Sequence, residues 1–348
     1  MMKRIALKEK DREIVVGVDL GATTVRAGAF TPLGELLDVQ QTEIKAQLGP
    51  DAGLQRIIRL IEKVLLEVNQ ADTGPVRLLG IGVGSTGPAD ARRGVLVNPL
   101  TLPGWIEVPV VARLTDHFGV PSCLENDADA AALGEYWAGA AAASPGVTAV
   151  RCLYAITVGT GIGTACIIDG QVYRGANGYH PEGGHQIVDP SGPQCYCGGK
   201  GCWESWSSGT AIGRAAREAI QASGTISGQG KPGALLLALA GGEIERVEAG
   251  LVAEAARQAD PLAQQVIERA AEAFAIGVFN ILMLFQPEMV VLSGGVIRSL
   301  DLFMPAIERV IQAADVYIPA HQVRILPAHL GYYAGIYGAA YAILKARQ

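Results

Sequence analysis

Apolar and polar positions along this chain follow two periods, and the switches between them mark its elements. From Ile14 the run IVVGVDLGATTVRAGAF reads as a strand, a Gly/Thr turn and a second strand. Pro32-Leu33-Gly34 makes another turn, and ELLDVQQTEI (35–44) makes a third strand. The period then changes. Leu54, Ile57, Ile58, Ile61, Val64, Leu65 and Val68 recur at helical spacing, which predicts an amphipathic helix over 51–70. LLGIGVGSTGPAD (78–90) reads as a buried strand running into a Gly/Pro loop. SCLENDADAAALGEYWAG (122–139) reads as a short strand and a helix, with Glu125, Asp127 and Asp129 near the helix start, where negative charge is favoured.

The opening pattern returns between Leu153 and Arg174 as strand, Gly/Thr turn, strand, Asp169-Gly170 turn and strand. Gly34 and Gly170 sit at similar offsets after the two Gly/Thr turns, so one supersecondary unit is duplicated. Asp260-Pro261 is an N-cap and first-turn pair opening a helix to about Phe285. MVVLSGGVI (289–297) is a buried strand ending in Gly-Gly, and a Gly/Ala/Tyr-rich helix over 334–346 follows. Residues 1–12 form a polar lead-in, 140–145 and 223–234 read as loops, and 177–210 is irregular.

Composition narrows the class. A length of 348 residues suits two domains. Hydrophobic residues at 49% against 18% charged exclude a disordered chain. A net charge of −6 argues against a nucleic-acid surface, and no Lys/Arg run offers a basic track for a long polyanion. No apolar stretch reaches the roughly 18 residues of a membrane span, and the lead-in lacks the apolar region of a signal peptide. The lone cysteines 123, 152 and 166 lie in strand-like segments and read as inert core, which with the remaining three points to a reducing cytoplasm.

Five groups can carry chemistry. Asp19, Gly21, Ala22, Thr23, Thr24 and Arg26 put an acid, a small-residue turn and hydroxyls together. They suit a phosphate with Mg²⁺ held through water, or an ordinary hairpin. Gly159, Thr160, Gly161 and Gly163 resemble a dinucleotide fingerprint, but the chain continues as strand rather than helix, so a phosphate-binding hairpin fits better. Asp127, after Glu125 and Asn126, is a candidate general base; Asn126 and Asp127 also suit plain helix capping, and Asp129 reads as a helix-start charge. His185, Cys195, Cys197 and Cys202 match a tetrahedral Cys₃His zinc site. Four protein ligands leave no open position, which makes such a metal structural. Glu182, His185 and Glu204, with Asn98 and Thr101, could hold sugar hydroxyls or be solvated loop residues. Here His185 would bind zinc through one nitrogen and a hydroxyl through the other.

Four stretches together resemble the ROK proteins (repressors, open reading frames, sugar kinases): DLGATTVR at 19–26, LENDADAAALGE at 124–135, GANGYHPEGGHQIVDPSGPQCYCGGKGCWESWSSGTAI at 175–212, and VVLSGG at 290–295. The resemblance implies an α/β, actin-like and ribonuclease H-like fold of two domains closing a central cleft over ATP and a sugar. It implies a smaller domain over 1–124, completed by the helix at 334–348, and a larger one over 125–333 carrying the zinc loop. Asp127 would be the base for the 6-hydroxyl of a hexose, with glucose the leading substrate. N-acetylmannosamine, N-acetylglucosamine, fructose and mannose are the alternatives. Asp19 would lie near Mg²⁺, the two Gly/Thr turns on phosphates, and Gly294-Gly295 near the adenosine. Asn126, Asp127, Glu182, His185 and Glu204 would contact the sugar. A cytoplasmic homo-oligomer, dimer or tetramer, binding neither nucleic acid nor membrane, is the corresponding expectation. Polyphosphate is the alternative donor.

Three departures bear on this. Ala22 stands where a second Gly is common, Thr101 replaces an amide beside the sugar, and His180-Pro181 precedes Glu182. The non-enzyme reading is a sugar-sensing regulator. The thirteen residues before Ile14 are fewer than a helix-turn-helix unit needs, so such a regulator would lack its DNA-binding part. Loss of zinc is expected to disorder 178–206 and abolish sugar binding while weakening nucleotide binding much less.

Overall fold

The computed structural model describes residues 12–70, 75–143, 150–223 and 232–347. The lead-in through residue 11, the end of the 140–145 loop and most of the 223–234 loop lie outside the described residues.

β1 (Glu13–Leu20), β2 (Thr24–Phe30) and β3 (Leu36–Glu43) precede α1 (Pro50–Gln70). β4 (Arg77–Ser85), the short β5 (Ala89–Asp90) and β6 (Val95–Leu96), α2 (Val110–Phe118), β7 (Ser122–Asn126) and α3 (Asp127–Trp137) follow. The second series is β8 (Cys152–Val158), β9 (Ile162–Ile168), β10 (Gln171–Val172), α4 (Trp203–Ser207), α5 (Gly209–Ser223), α6 (Ala234–Leu239), α7 (Ala249–Arg257) and α8 (Pro261–Phe285). β11 (Met289–Ser293), α9 (Leu300–Ala314), β12 (Arg324–Pro327) and α10 (Ala334–Ala346) complete it. Asp260 caps α8 as expected, accepting from the N–H groups of Leu262 and Ala263.

The two five-stranded sheets share one order, β3-β2-β1-β4-β7 and β10-β9-β8-β11-β12. The duplication read from the two Gly/Thr turns therefore extends to the whole sheet. In the first sheet β1–β2 and β2–β3 are antiparallel, as tight turns require, while β4 and β7 join in parallel after helical crossovers. α1 buries Leu54, Ile57, Ile61 and Val64 in the same core as Val16, Val18, Val25 and Ile81.

Contacts divide the chain into two compact units: Met1–Val150 with Cys166–His180 and Ala328–Gln348, and Arg151–Ala165 with Pro181–Pro327. The division falls after Val150 rather than at 124/125, and it passes through β9. The reason is local. Gly338 of α10 lies so close to α3 that a Cβ there would stand 1.5 Å from the Ala130 carbonyl oxygen, so α3 and α10 form one layer of the first unit.

That layer also explains the spacing of glycines in β4. Ile81 and Val83 face the α1 core, whereas Gly80, Gly82 and Gly84 point the other way. A Cβ on Gly82 would stand 1.8 Å from the Ala339 carbonyl oxygen, and one on Gly17 of β1 would stand 1.8 Å from that of Ile336. The helix backbone lies directly on the sheet, and backbone cannot yield as a side chain can. Gly82→Ala is expected to destabilise the fold by about 3 kcal/mol or more. A chemical denaturation midpoint within a few per cent of the parent would contradict this packing.

Candidate active site

In the first unit, β1 ends at Asp19-Leu20, and the Gly21 N–H donates to the Thr24 carbonyl at 3.0 Å to close the turn. Ala22 and Thr23 are exposed at its tip. Asp19 and Arg26 are cross-strand partners whose side chains pair at 3.3 Å. Burial raises the Asp19 carboxyl to about 6; Arg26 lowers it in part and the Asp127 charge raises it further.

Asp127 stands exposed in the first turn of α3. The N-cap Asn126 accepts from the Ala128 N–H at 2.8 Å, and Asp127 Oδ1 accepts from the same N–H at 2.8 Å. Capping and a catalytic carboxylate are thus compatible, since the cap orients the acid. Surrounding protein raises the Asp127 carboxyl above its ordinary value, against the Ala128 hydrogen bond and the His180 charge. Asp129 departs from its reading as a helix-start charge. It is buried at 1% exposure, 3.4 Å from Arg174 and 3.8 Å from His180. Arg174 also pairs with Glu125, yet burial outweighs that pairing and raises the Glu125 carboxyl to about 7. Such a charge cluster needs segment 166–180, which sequence proximity does not bring to α3. Asn98 and Thr101 are exposed after β6, and the Thr101 hydroxyl donates to Thr86 Oγ1 at 3.1 Å.

In the second unit, the Gly159 N–H donates to the Gly161 carbonyl at 2.9 Å to form the matching turn. Glu204 Oε2 accepts from the Ile162 N–H at 2.8 Å, and a Cβ on Gly161 would stand 2.3 Å from that oxygen. Gly161 is therefore glycine to admit a carboxylate. The Gly209 N–H donates to the Gly159 carbonyl at 2.8 Å, seating the N-terminus of α5 against the turn, where a helix favours anions. A cavity of about 500 Å³ opens here. Gly159, Thr160 and Gly295 of the expected set line it, with Gly209, Arg217 and Glu248, which no motif announces. Gly163 lies inside β9, and Gly294 packs under Val158 with φ 95°.

The donor atoms of His185, Cys195, Cys197 and Cys202 all lie within 4.8 Å of one another. Cys195 Sγ is 3.6 Å from His185 Nδ1, and Cys197 Sγ is 3.6 Å from Cys202 Sγ, so no disulfide joins them. One imidazole and three thiols at this spacing fit zinc. The other ring nitrogen, His185 Nε2, lies 3.2 Å from the Tyr196 hydroxyl, a partner that its place between two cysteines gives no sign of. Glu182 is exposed just before this loop turns into His185.

Two sheets of one strand order, with a Gly/Thr turn after the first strand of each, define an actin-like ATPase fold. A family model described as the ROK family matches residues 15–346, and the chain belongs to that family. The chain is similar to a glucokinase of Thermotoga maritima, 33% identical over 96% of this chain and 98% of that protein. It is similar to a solved ROK family glucokinase from Streptomyces griseus in complex with glucose and AMPPNP. The identity is 28% and the TM-score 0.69, over 95% of this chain and 99% of that one. It is also 27% identical to a putative xylose repressor of Caldicellulosiruptor sp., over 91% of this chain and 74% of that protein.

The Glu204 contact changes what metal loss should do. Glu204 lies two residues beyond Cys202 and braces the turn at Ile162, so the Cys/His loop supports that turn as well as its own residues. Glu204→Ala is expected to raise the KM for ATP roughly tenfold, the scale of a lost N–H bond to a carboxylate. Steady-state kinetics with ATP varied at saturating sugar would test it, and an unchanged KM would leave Glu204 without this bracing role.

Proposed function

We propose that this chain is an ATP-dependent sugar kinase that phosphorylates a hexose, glucose first, at its 6-hydroxyl. The observation that carries the reading is Asp127, an exposed carboxylate held by the first turn of α3, in the same unit as the acid-ended phosphate turn. Asp127 accepts the proton of the 6-hydroxyl as its oxygen attacks the γ-phosphorus of ATP. The bond from that phosphorus to the bridging oxygen breaks and ADP leaves with the electron pair.

The other groups position and neutralise. Asn98, Thr101, Asn126, Glu182, His185 and Glu204 supply donors and acceptors for sugar hydroxyls. The turns at Gly21–Thr24 and Gly159–Gly161 and the α5 terminus offer N–H groups to phosphates. Asp19 would hold Mg²⁺ through water. Its fit lies in its own electrostatics, because a burial-raised carboxyl beside a second acid gains from a dication. His185, Cys195, Cys197 and Cys202 would hold structural zinc, which cross-links the loop and supplies no reacting atom.

ATP is favoured over polyphosphate by the cavity. Its 500 Å³ beside the second turn suits a nucleoside, which a phosphate chain has no need of. The glucokinase relatives support glucose, and ROK membership supports a homo-oligomer, dimer or tetramer, in the cytoplasm.

Asp127→Asn is expected to lower kcat by about 10²- to 10⁴-fold, measured as ADP release over a panel of hexoses and N-acetylhexosamines. Near-parental turnover would remove the base assignment. A lead by fructose or an N-acetyl sugar would move specificity to Thr101 and His180. Sugar binding without turnover would favour a sensor. The pH profile has a definite sign. Asp127 must be ionised to act and its carboxyl is raised, so kcat/KM should fall on the acid side at a pH above that of an ordinary aspartate. An acid limb at or below the ordinary aspartate range would contradict this.

A further inference from the structure

The outer side of α1 carries charges that neither phosphate turn nor the Cys/His loop uses. A cavity of about 530 Å³ lies between α1 and β3, lined by Arg56, Arg59 and Lys63 with Gln41, Thr42 and Gln55. Helical spacing puts the three cations on one face, where like charges oppose one another. No carboxylate lines the cavity. Elsewhere Arg77, Arg93, Arg113 and Arg257 each pair with an acid. Among the described residues, Arg56, Arg59 and Lys63 have no ion-pair or hydrogen-bond partner. In a chain of net charge −6, three unneutralised cations around one hollow form a local field of the opposite sign. The residues are spread along a helix, so no run appears in the sequence.

The wall of this groove touches the catalytic sheet. Gln41 is the cross-strand partner of Arg26, and Arg26 Nη2 donates to Gln41 Oε1 at 3.4 Å. The other arm of Arg26 reaches Asp19 at 3.3 Å. The pleat turns these three side chains to the face of the sheet away from α1, so the groove and the Asp19 pair lie on opposite sides of the sheet.

We propose that this groove binds a phosphorylated small molecule. Two guanidinium groups and an ammonium suit phosphate oxygens, and the Gln55 amide and the Thr42 hydroxyl suit a polar body attached to them. The hollow is larger than a single phosphate ion requires and within the range of small-molecule sites.

The site does not depend on the kinase reading. The test is isothermal titration of inorganic phosphate, tripolyphosphate and glucose 6-phosphate into the full chain preloaded with ADP, beside the double variant Arg56→Gln/Arg59→Gln. The parent should bind at least one of the three at least tenfold more tightly than the variant, and more weakly as salt rises. Tightest binding of tripolyphosphate would identify a run of phosphates as the ligand; tightest binding of glucose 6-phosphate, a phosphate ester. Equal binding by parent and variant, with an unchanged thermal midpoint, would overturn the site. A chain with no sugar kinase activity that still binds these anions through Arg56 and Arg59 would fail the functional reading and keep the site.

Discussion

The contact on which the first unit depends is backbone against backbone. α10 lies on β1 and β4 so closely that Gly17 and Gly82 have no room for a Cβ, and it meets α3 through Gly134 and Gly338 in the same way. Nothing about this is confined to stability. A Cβ at Gly335, in the first turn of α10, would stand 3.0 Å from the Asp19 carboxyl carbon, so the helix that closes the fold also walls the acid at the end of β1. The approach to α10 is tied down by a buried acid. Glu135 of α3 accepts from the N–H groups of His329 and Leu330 at 3.0 and 2.8 Å, and from Ala140 at 2.8 Å. A segment far along the chain is thereby fixed to the helix whose first residue is Asp127.

Legibility in the sequence follows the range of the interaction. The α1 stripe, the Asp260 cap, the turn at Asp169-Gly170 and the Cys/His spacing are local, and each reads correctly because residues near in sequence satisfy one another. The duplication was legible for the same reason, since each copy repeats its own strand–turn–strand pattern. What sequence could not show is long-range. The alternating glycines of β4 look like a weak strand until α10 lies on them. Asp129 looks like a helix-start charge until Arg174 arrives from another element. Glu204 gives no sign in the sequence that it also accepts from the Ile162 N–H. Tyr196 carries no signal at all, because its only distinction is where the flanking cysteines place it.

The two units divide the electrostatics. The first gathers Asp19, Glu125, Asp127 and Asp129 around Arg26, Arg174 and His180. The second offers N–H groups from a Gly-rich turn and a helix end, with one carboxylate spent on bracing that turn. Acids that take up protons and amides that meet phosphates are the two requirements of phosphoryl transfer, and the duplicated scaffold meets them with different side chains at equivalent strand ends.

The acid cluster also costs stability, and the sign is unusual. Most carboxylates in folded proteins are held below their free values and stabilise the fold at neutral pH. Asp19 and Glu125 are raised, to about 6 and about 7, from 3.8 and 4.5. The folded state therefore binds their protons more tightly than the unfolded chain does. Their contribution favours folding below the unfolded values and is lost as pH rises through the folded ones, so at neutral pH both oppose the fold. A structure selected only for stability would neutralise them or move them to the surface. Their retention beside Asp127, on a layer held by backbone contacts that tolerate no added methyl group, fits a site in which rigidity is supplied by packing and charge is kept for chemistry.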